Sequence, residues 1–221
     1  MTPTVTGKQS YKVFAKWVDD GSLGQAFLAS VQHLAAEQHL DLRVLLGDGT
    51  NTVAKKGAIV LATPATSLVQ KGEKVIASTD NHGSTLAPVP VAPVNETDMV
   101  LFPEGLHTLQ PVVKEVGLDL RGASLNLGVG FDSRANRKGL FNAGTSPNIT
   151  DNPRHRKTTK RGRERLLNAA IYTLCRRVER IFAWEDKFKR LLLRFEHIQQ
   201  RHYGMKLMAY PLINLRAFCG T

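Results

Sequence analysis

The chain has 221 residues, 42% of them hydrophobic and 22% charged, the balance of one folded domain of ordinary size rather than of a disordered segment. No run reaches the ~18 apolar residues of a membrane helix, residues 1–9 lack the apolar core of a secretory signal, and two cysteines are too few for a disulfide framework; a soluble intracellular protein is expected. The net charge of +11 is lopsided, since residues 1–150 carry 13 basic and 13 acidic side chains whereas residues 151–221 carry 17 and 6. A solvated charged face mixes signs, so a one-sided excess points to a polyanionic partner, nucleic acid before an anionic membrane surface.

Apolar residues recur at spacings of three and four from Tyr11 to Leu40, which reads as helix. Asp19, Asp20 and Gly21 interrupt the pattern and start a second helix, capped by Asp20 or Ser22. Residues 42–46 are a short apolar run ending in Gly47-Asp48-Gly49-Thr50, a strand entering a turn. Residues 74–79 and 85–91 are two further strands around Asp80-Asn81-His82-Gly83, a hairpin composition. Residues 97–116 form an amphipathic helix that Pro103 and Pro111 divide into two pieces. Residues 123–127 read as a buried strand and residues 133–142 as a helix. A basic loop spans residues 151–165; helical patterns follow over residues 166–197 and 203–218. The order predicts a mixed α/β domain, a sheet of about five strands flanked by helices, in residues 41–221, with residues 1–40 as a helical lead-in.

Two acidic residues stand where chemistry is often placed. Asp48 follows an apolar strand, so it is either a carboxylate held at a sheet end or a turn aspartate bonded to its own backbone. Glu179 lies among Arg176, Arg177 and Arg180 on a helix with an apolar face; it is either a surface ion-pair partner or a metal-binding carboxylate in a basic surface. Phosphoryl transfer on DNA gathers such acids from distant positions, because two metal ions ~4 Å apart activate the attacking oxygen and stabilise the leaving one. Gly128-Val129-Gly130 lacks the third glycine of a dinucleotide loop, so no organic cofactor is expected. The histidines show no metal-ligand spacing, and Trp17 and Trp184 read as core residues from their apolar neighbours. Arg154, Arg156, Lys157, Lys160, Arg161, Arg163 and Arg165 form a dense run suited to phosphate contact, with a solvated loop as the bland alternative.

Four segments in order, Leu46-Gly47-Asp48-Gly49-Thr50, the stretch from Val91 to Asp98, Gly130-Phe131-Asp132-Ser133 and the stretch from Val178 to Trp184, together with Tyr203-Gly204-Met205-Lys206, resemble the DDE transposases of bacterial insertion sequences. The resemblance implies an RNase H-like catalytic domain that binds insertion-sequence ends and target DNA and cuts and joins strands with Mg²⁺ or Mn²⁺. It also implies possible homo-oligomers on DNA and a cytoplasmic, nucleoid-associated place. Asp48 then matches the first catalytic aspartate and Glu179 the catalytic glutamate, both as metal ligands. Arg154, Arg156, Lys157, Lys160, Arg161, Arg163, Arg176, Arg177 and Arg180 are the expected DNA contacts.

The chain departs from the family pattern twice. The second aspartate of Asp-x-Gly-(Tyr or Phe)-Asp-Ser falls on Gly128, which cannot ligate a metal; Asp132 is a weak substitute, since the pattern already contains it and its ordinary role is to cap the next helix. The expectation is therefore impaired activity, or alternatively a non-catalytic DNA-binding remnant or an inhibitor of active relatives. After Gly57, relatives read approximately Gly-Tyr-(Ser or Pro)-Gly-His-Lys, whereas this chain runs Ala58 to Ser67. Codons regrouped from the third base of Ala58 permit Asp-Arg-Val-Gly-Tyr-Pro-Gly-His-Lys, so a frameshift restored before Lys71 is expected, and residues 58–70 should fit the fold poorly.

Overall fold

A computed structural model describes residues 7–54, 72–88, 92–152 and 167–219. In chain order the elements are α1 (Gly7–Asp19), α2 (Ser22–Ala36), β1 (Val44–Ala54), β2 (Gly72–Thr79), β3 (Thr85–Pro88), β4 (Ala92–Pro93), α3 (Asp98–Glu115), β5 (Ser124–Leu127), α4 (Arg134–Asn142), β6 (Ser146–Ile149), α5 (Ala169–Tyr172), α6 (Arg176–Glu185), α7 (Lys189–Leu192), β7 (Leu193–Arg194) and α8 (Gln199–Asn214). The sheet order is β3-β2-β1-β5-β6, with β4 added beside β2 and β7 beside β1. β1, β2 and β3 pair antiparallel, and β1, β5 and β6 pair parallel. Three antiparallel strands followed by two parallel ones, with helices on both faces, is the RNase H-like arrangement. Five strands make the main path as expected, and two-residue strands bring the sheet to seven.

Side chains alternate faces along a strand, and β1 shows it. Leu45 joins a cluster with Ile76, Leu125, Leu127, Phe102 and Leu106, on the side of α3. Leu46 points the other way, to Ala77 and to Val178 of α6. β2 is buried along its whole length, as a strand paired on both edges and covered on both faces must be. α1 and α2 are tied to this body: Phe27 and Val31 of α2 share the cluster of Leu45, and a Cβ at Gly204 of α8 would lie 2.4 Å from Val18 of α1.

Several boundaries differ from the sequence reading. β1 does not end at Leu46 but runs through Gly-Asp-Gly-Thr to Ala54, because β2 pairs with it over eight positions from Leu46 to Val53. Ladder hydrogen bonds outweigh the local turn preference. α3 is one helix despite Pro103 and Pro111. Pro103 cannot donate to the Met99 carbonyl, which accepts Asn136 Nδ2 at 3.0 Å instead, so the missing bond is replaced by one that ties α3 to α4. The helical stretch expected over residues 166–197 is broken into α5, α6, α7 and β7. β6 carries Pro147 and too few apolar residues to signal a strand in the sequence. The segment expected to be frameshifted, residues 58–70, lies outside the described residues.

Candidate functional site

Asp48 sits in the central strand, opposite Ala77 of β2 and on the same face as Leu46. Its two flanking glycines are required by close approach rather than by a turn. A Cβ at Gly47 would fall 2.6 Å from Leu127 Cδ2, and one at Gly49 would fall 2.7 Å from Asp98 Oδ1. Asp48 Oδ1 accepts the Gly49 N–H at 2.8 Å. Burial pushes this carboxyl above the usual carboxylate range, and the negative charges of Asp98 and Glu179 push it further; the Gly49 bond and Lys74 pull it back. Carboxylates on both sides of the sheet thus act on the charge of Asp48, Glu179 from its own face and Asp98 from the Gly49 face.

Glu179 arrives on α6, whose Val178 packs on Leu46 and Ala77 and so lays the helix across the face that carries Asp48. Glu179 itself is exposed. The parallel register of β1 with β5 pairs Gly47 with Leu127 and therefore sets position 128 beside Asp48. Gly128 has extended backbone there, and a Cβ built on it meets nothing within 4 Å. The space for a second aspartate exists; the carboxylate does not.

Asp132 lies elsewhere in its bonding. Its buried carboxylate accepts Arg137 Nε at 3.0 Å and the Asn152 N–H at 2.9 Å. The expected capping role belongs to Ser133, whose hydroxyl accepts the Asn136 N–H at 3.0 Å. Among the described residues no three His, Cys, Asp or Glu side chains are grouped to hold a metal ion. Mg²⁺ requires oxygen ligands at near-octahedral positions; Asp48 and Glu179 can supply part of such a set, and Gly128 supplies none of it.

Asp98 ends the stretch from Val91 to Asp98, and nothing in its sequence context marks it as a site residue. It heads α3 and approaches β1 from the Gly49 face, where Lys74 Nζ holds its Oδ1 at 2.9 Å. Gly130 leaves room for it too, since a Cβ there would lie 3.0 Å from its Oδ2. Two glycines that make space for one carboxylate were the available signal. They are close only in the folded chain.

Of the expected DNA contacts, Arg154, Arg156, Lys157, Lys160, Arg161 and Arg163 lie outside the described residues. Arg176 and Arg180 are exposed on α6, and Arg177 donates to the carbonyl and the side-chain oxygen of Asn81. Trp17 is 43% exposed and is no core residue; Trp184 packs on the core cluster as expected, half-buried between cations, with Lys187 Nζ 3.7 Å and the Arg216 guanidinium 3.5 Å from its ring. No helix among the described residues is long and apolar enough to cross a membrane.

No protein-family model matches the chain, and no curated protein matches it. Among solved structures it is similar to the Mos1 transposase in a paired-end complex with the left transposon end, at 12% identity and a TM-score of 0.35, over 87% of this chain and 59% of that one. It is similar also to the catalytic domain of the Mos1 mariner transposase, at 12% identity and a TM-score of 0.36, over 99% and 96% of the two chains. A third is the Mos1 strand transfer complex, at 12% and 0.34, over 89% and 61%. The chain thus spans under two thirds of the full transposase chains; the strand order described above, rather than these superpositions, defines the fold.

Proposed function

We propose that this chain is a DNA-binding protein of the transposase class, built on an RNase H-like scaffold for Mg²⁺- or Mn²⁺-assisted strand cleavage and joining, with that activity impaired by Gly128. The register of β1 with β5 carries the reading. It places Asp48 and position 128 side by side at the sheet centre, and α6 brings Glu179 to the same face. A surface holding two carboxylates with Arg176 beside Glu179 suits a phosphodiester, with the arginine neutralising phosphate. The described residues do not complete a metal-binding set. The charge excess of residues 151–221 supports DNA binding independently of cutting.

The test is strand nicking and transfer on DNA bearing the element's ends, with Mg²⁺ or Mn²⁺, comparing the parent with Gly128→Asp. The open space at position 128 lets the aspartate enter without repacking. The variant should exceed the parent by at least about a hundredfold, the scale of a missing electrostatic group in a catalytic site. Equal activity of parent and variant would refute the argument from position 128. Absence of duplex binding in both would refute the transposase reading altogether.

A further inference from the structure

On the side of α6 away from Glu179, four separate segments close around a cleft of about 550 Å³. Arg177, Arg180 and Trp184 recur at helical spacing and form one stripe of α6, distinct from the stripe of Arg176 and Glu179. His82 comes from the turn between β2 and β3, His39 from the segment after α2, and Arg216 from the turn after α8. Among the described residues three guanidinium groups line the cleft, and no carboxylate does. The nearest acid in the turn is Asp80, which is fully buried and spends its oxygens on the N–H groups of Asp41, His82 and Ser84.

The arginines are also prepared. Arg177 is fixed by Asn81, and the Arg216 guanidinium carbon lies over the Trp184 ring, 3.5 Å from its centroid. Arg180 makes no ion pair among the described residues, while its terminal nitrogen lies 3.6 Å from the Cβ position of Gly83 and so stands at the wall of the cleft. Concentrated, oriented guanidinium charge without a counter-ion calls for an anion that accepts bidentate bonds. The volume falls in the ordinary range of small-ligand sites.

We infer that this cleft binds a phosphate group carried on a nucleotide unit, apart from the acidic locus of Asp48. It rests on the nucleic-acid reading only for the source of the phosphate, a strand of DNA or a free nucleotide. A phosphate held on the Arg177–Arg180 stripe would fix a DNA strand on α6 itself, and so at a set distance from Glu179.

The full chain is titrated by calorimetry with inorganic phosphate and adenosine 5′-monophosphate, and by anisotropy with a labelled duplex at several salt concentrations. A Trp17→Phe background leaves Trp184 as the single tryptophan and reports occupancy of the cleft. Binding of at least one probe should shift Trp184 emission. Arg180→Gln with Arg216→Gln should weaken that probe's binding by about tenfold or more and, for the duplex, flatten the salt slope by about one or two units; Arg180→Lys should keep most of it. A response to the mononucleotide assigns a free nucleotide as a ligand, and a response to duplex alone assigns the strand. If the duplex fails to bind while the mononucleotide binds, the nucleic-acid reading falls and the cleft stands. If no probe binds, or if the double variant binds as the parent does, the cleft is a solvated basic surface and the inference is overturned.

Discussion

A carboxylate at Asp48 works against the fold that holds it. Burial and two neighbouring negative charges disfavour its ionised form, so the folded chain keeps that proton to higher pH than the unfolded chain does. Across the interval between the two pKa values the native state binds more protons. Stability therefore falls as pH rises from the ordinary aspartate range through the folded value, and the loss is complete above it. Asp48→Asn retains an oxygen for the Gly49 N–H and removes the charge. The variant should be more stable than the parent at about pH 7, with the advantage narrowing towards about pH 4, where the unfolded aspartate begins to take up its proton. Urea midpoints at both pH values check this. An asparagine variant less stable than the parent at neutral pH would show that the site gains more from the charge than burial costs. The same residue marks how far the sequence could be read: its place after an apolar run makes Asp48 a candidate, but its flanking glycines read as a turn, whereas the structure carries β1 through them. Their contacts, Leu127 and Asp98, come from elements 50 to 80 positions away.

At the scale of elements, a polar ladder fixes how the chain crosses from the sheet to α6. Asn126 of β5 and Asn148 of β6 are paired in register, and Asn148 Nδ2 donates to Asn126 Oδ1 at 3.0 Å. Asn148 Oδ1 accepts the Asn168 N–H at 2.8 Å, and Asn126 Nδ2 donates to the Ile171 carbonyl at 3.1 Å. The Asn168 side chain then caps α5 through the Ile171 N–H. Both asparagines of the sheet are buried, so each lost partner is left without water. Asn148→Ala should destabilise the domain by about 1–3 kcal/mol, and hydrogen exchange should speed up first in α5. Uniform loss of protection instead would mean that the ladder holds the sheet and not the crossing. Apolar patterning marked β1, β2, β3, β5 and α3, because each buries apolar side chains, and it missed β6, whose buried apolar side chain is Ile149 alone. It could not reveal this crossing, since buried asparagines look in sequence like those of any loop.

For the whole molecule, the far end of the sheet is closed by charge rather than by apolar packing. Where β1 and β2 pair Thr52 with Glu73, α6 contributes Glu185 and α8 contributes His202, Lys206 and Tyr210, all of them buried. Lys206 pairs with Glu185, whose second oxygen accepts the Tyr210 hydroxyl at 2.8 Å; Glu73 meets both His202 and Arg194. Such residues read as surface in a sequence, which is why α8 was found as a helix while its buried face was not. The arrangement joins the helix that bears Glu179 to the body of the domain through one ion pair. Removing a single partner leaves an uncompensated charge in the interior, so Lys206→Met should cost about 3–5 kcal/mol. Neutralising the acid as well should restore most of that loss, because Glu185→Gln still offers an oxygen to Tyr210. The pair is measured as a double-mutant cycle by urea unfolding. If Glu185→Gln fails to rescue Lys206→Met, the lysine acts through its packed methylenes and not through its charge, and the closure of this end is steric.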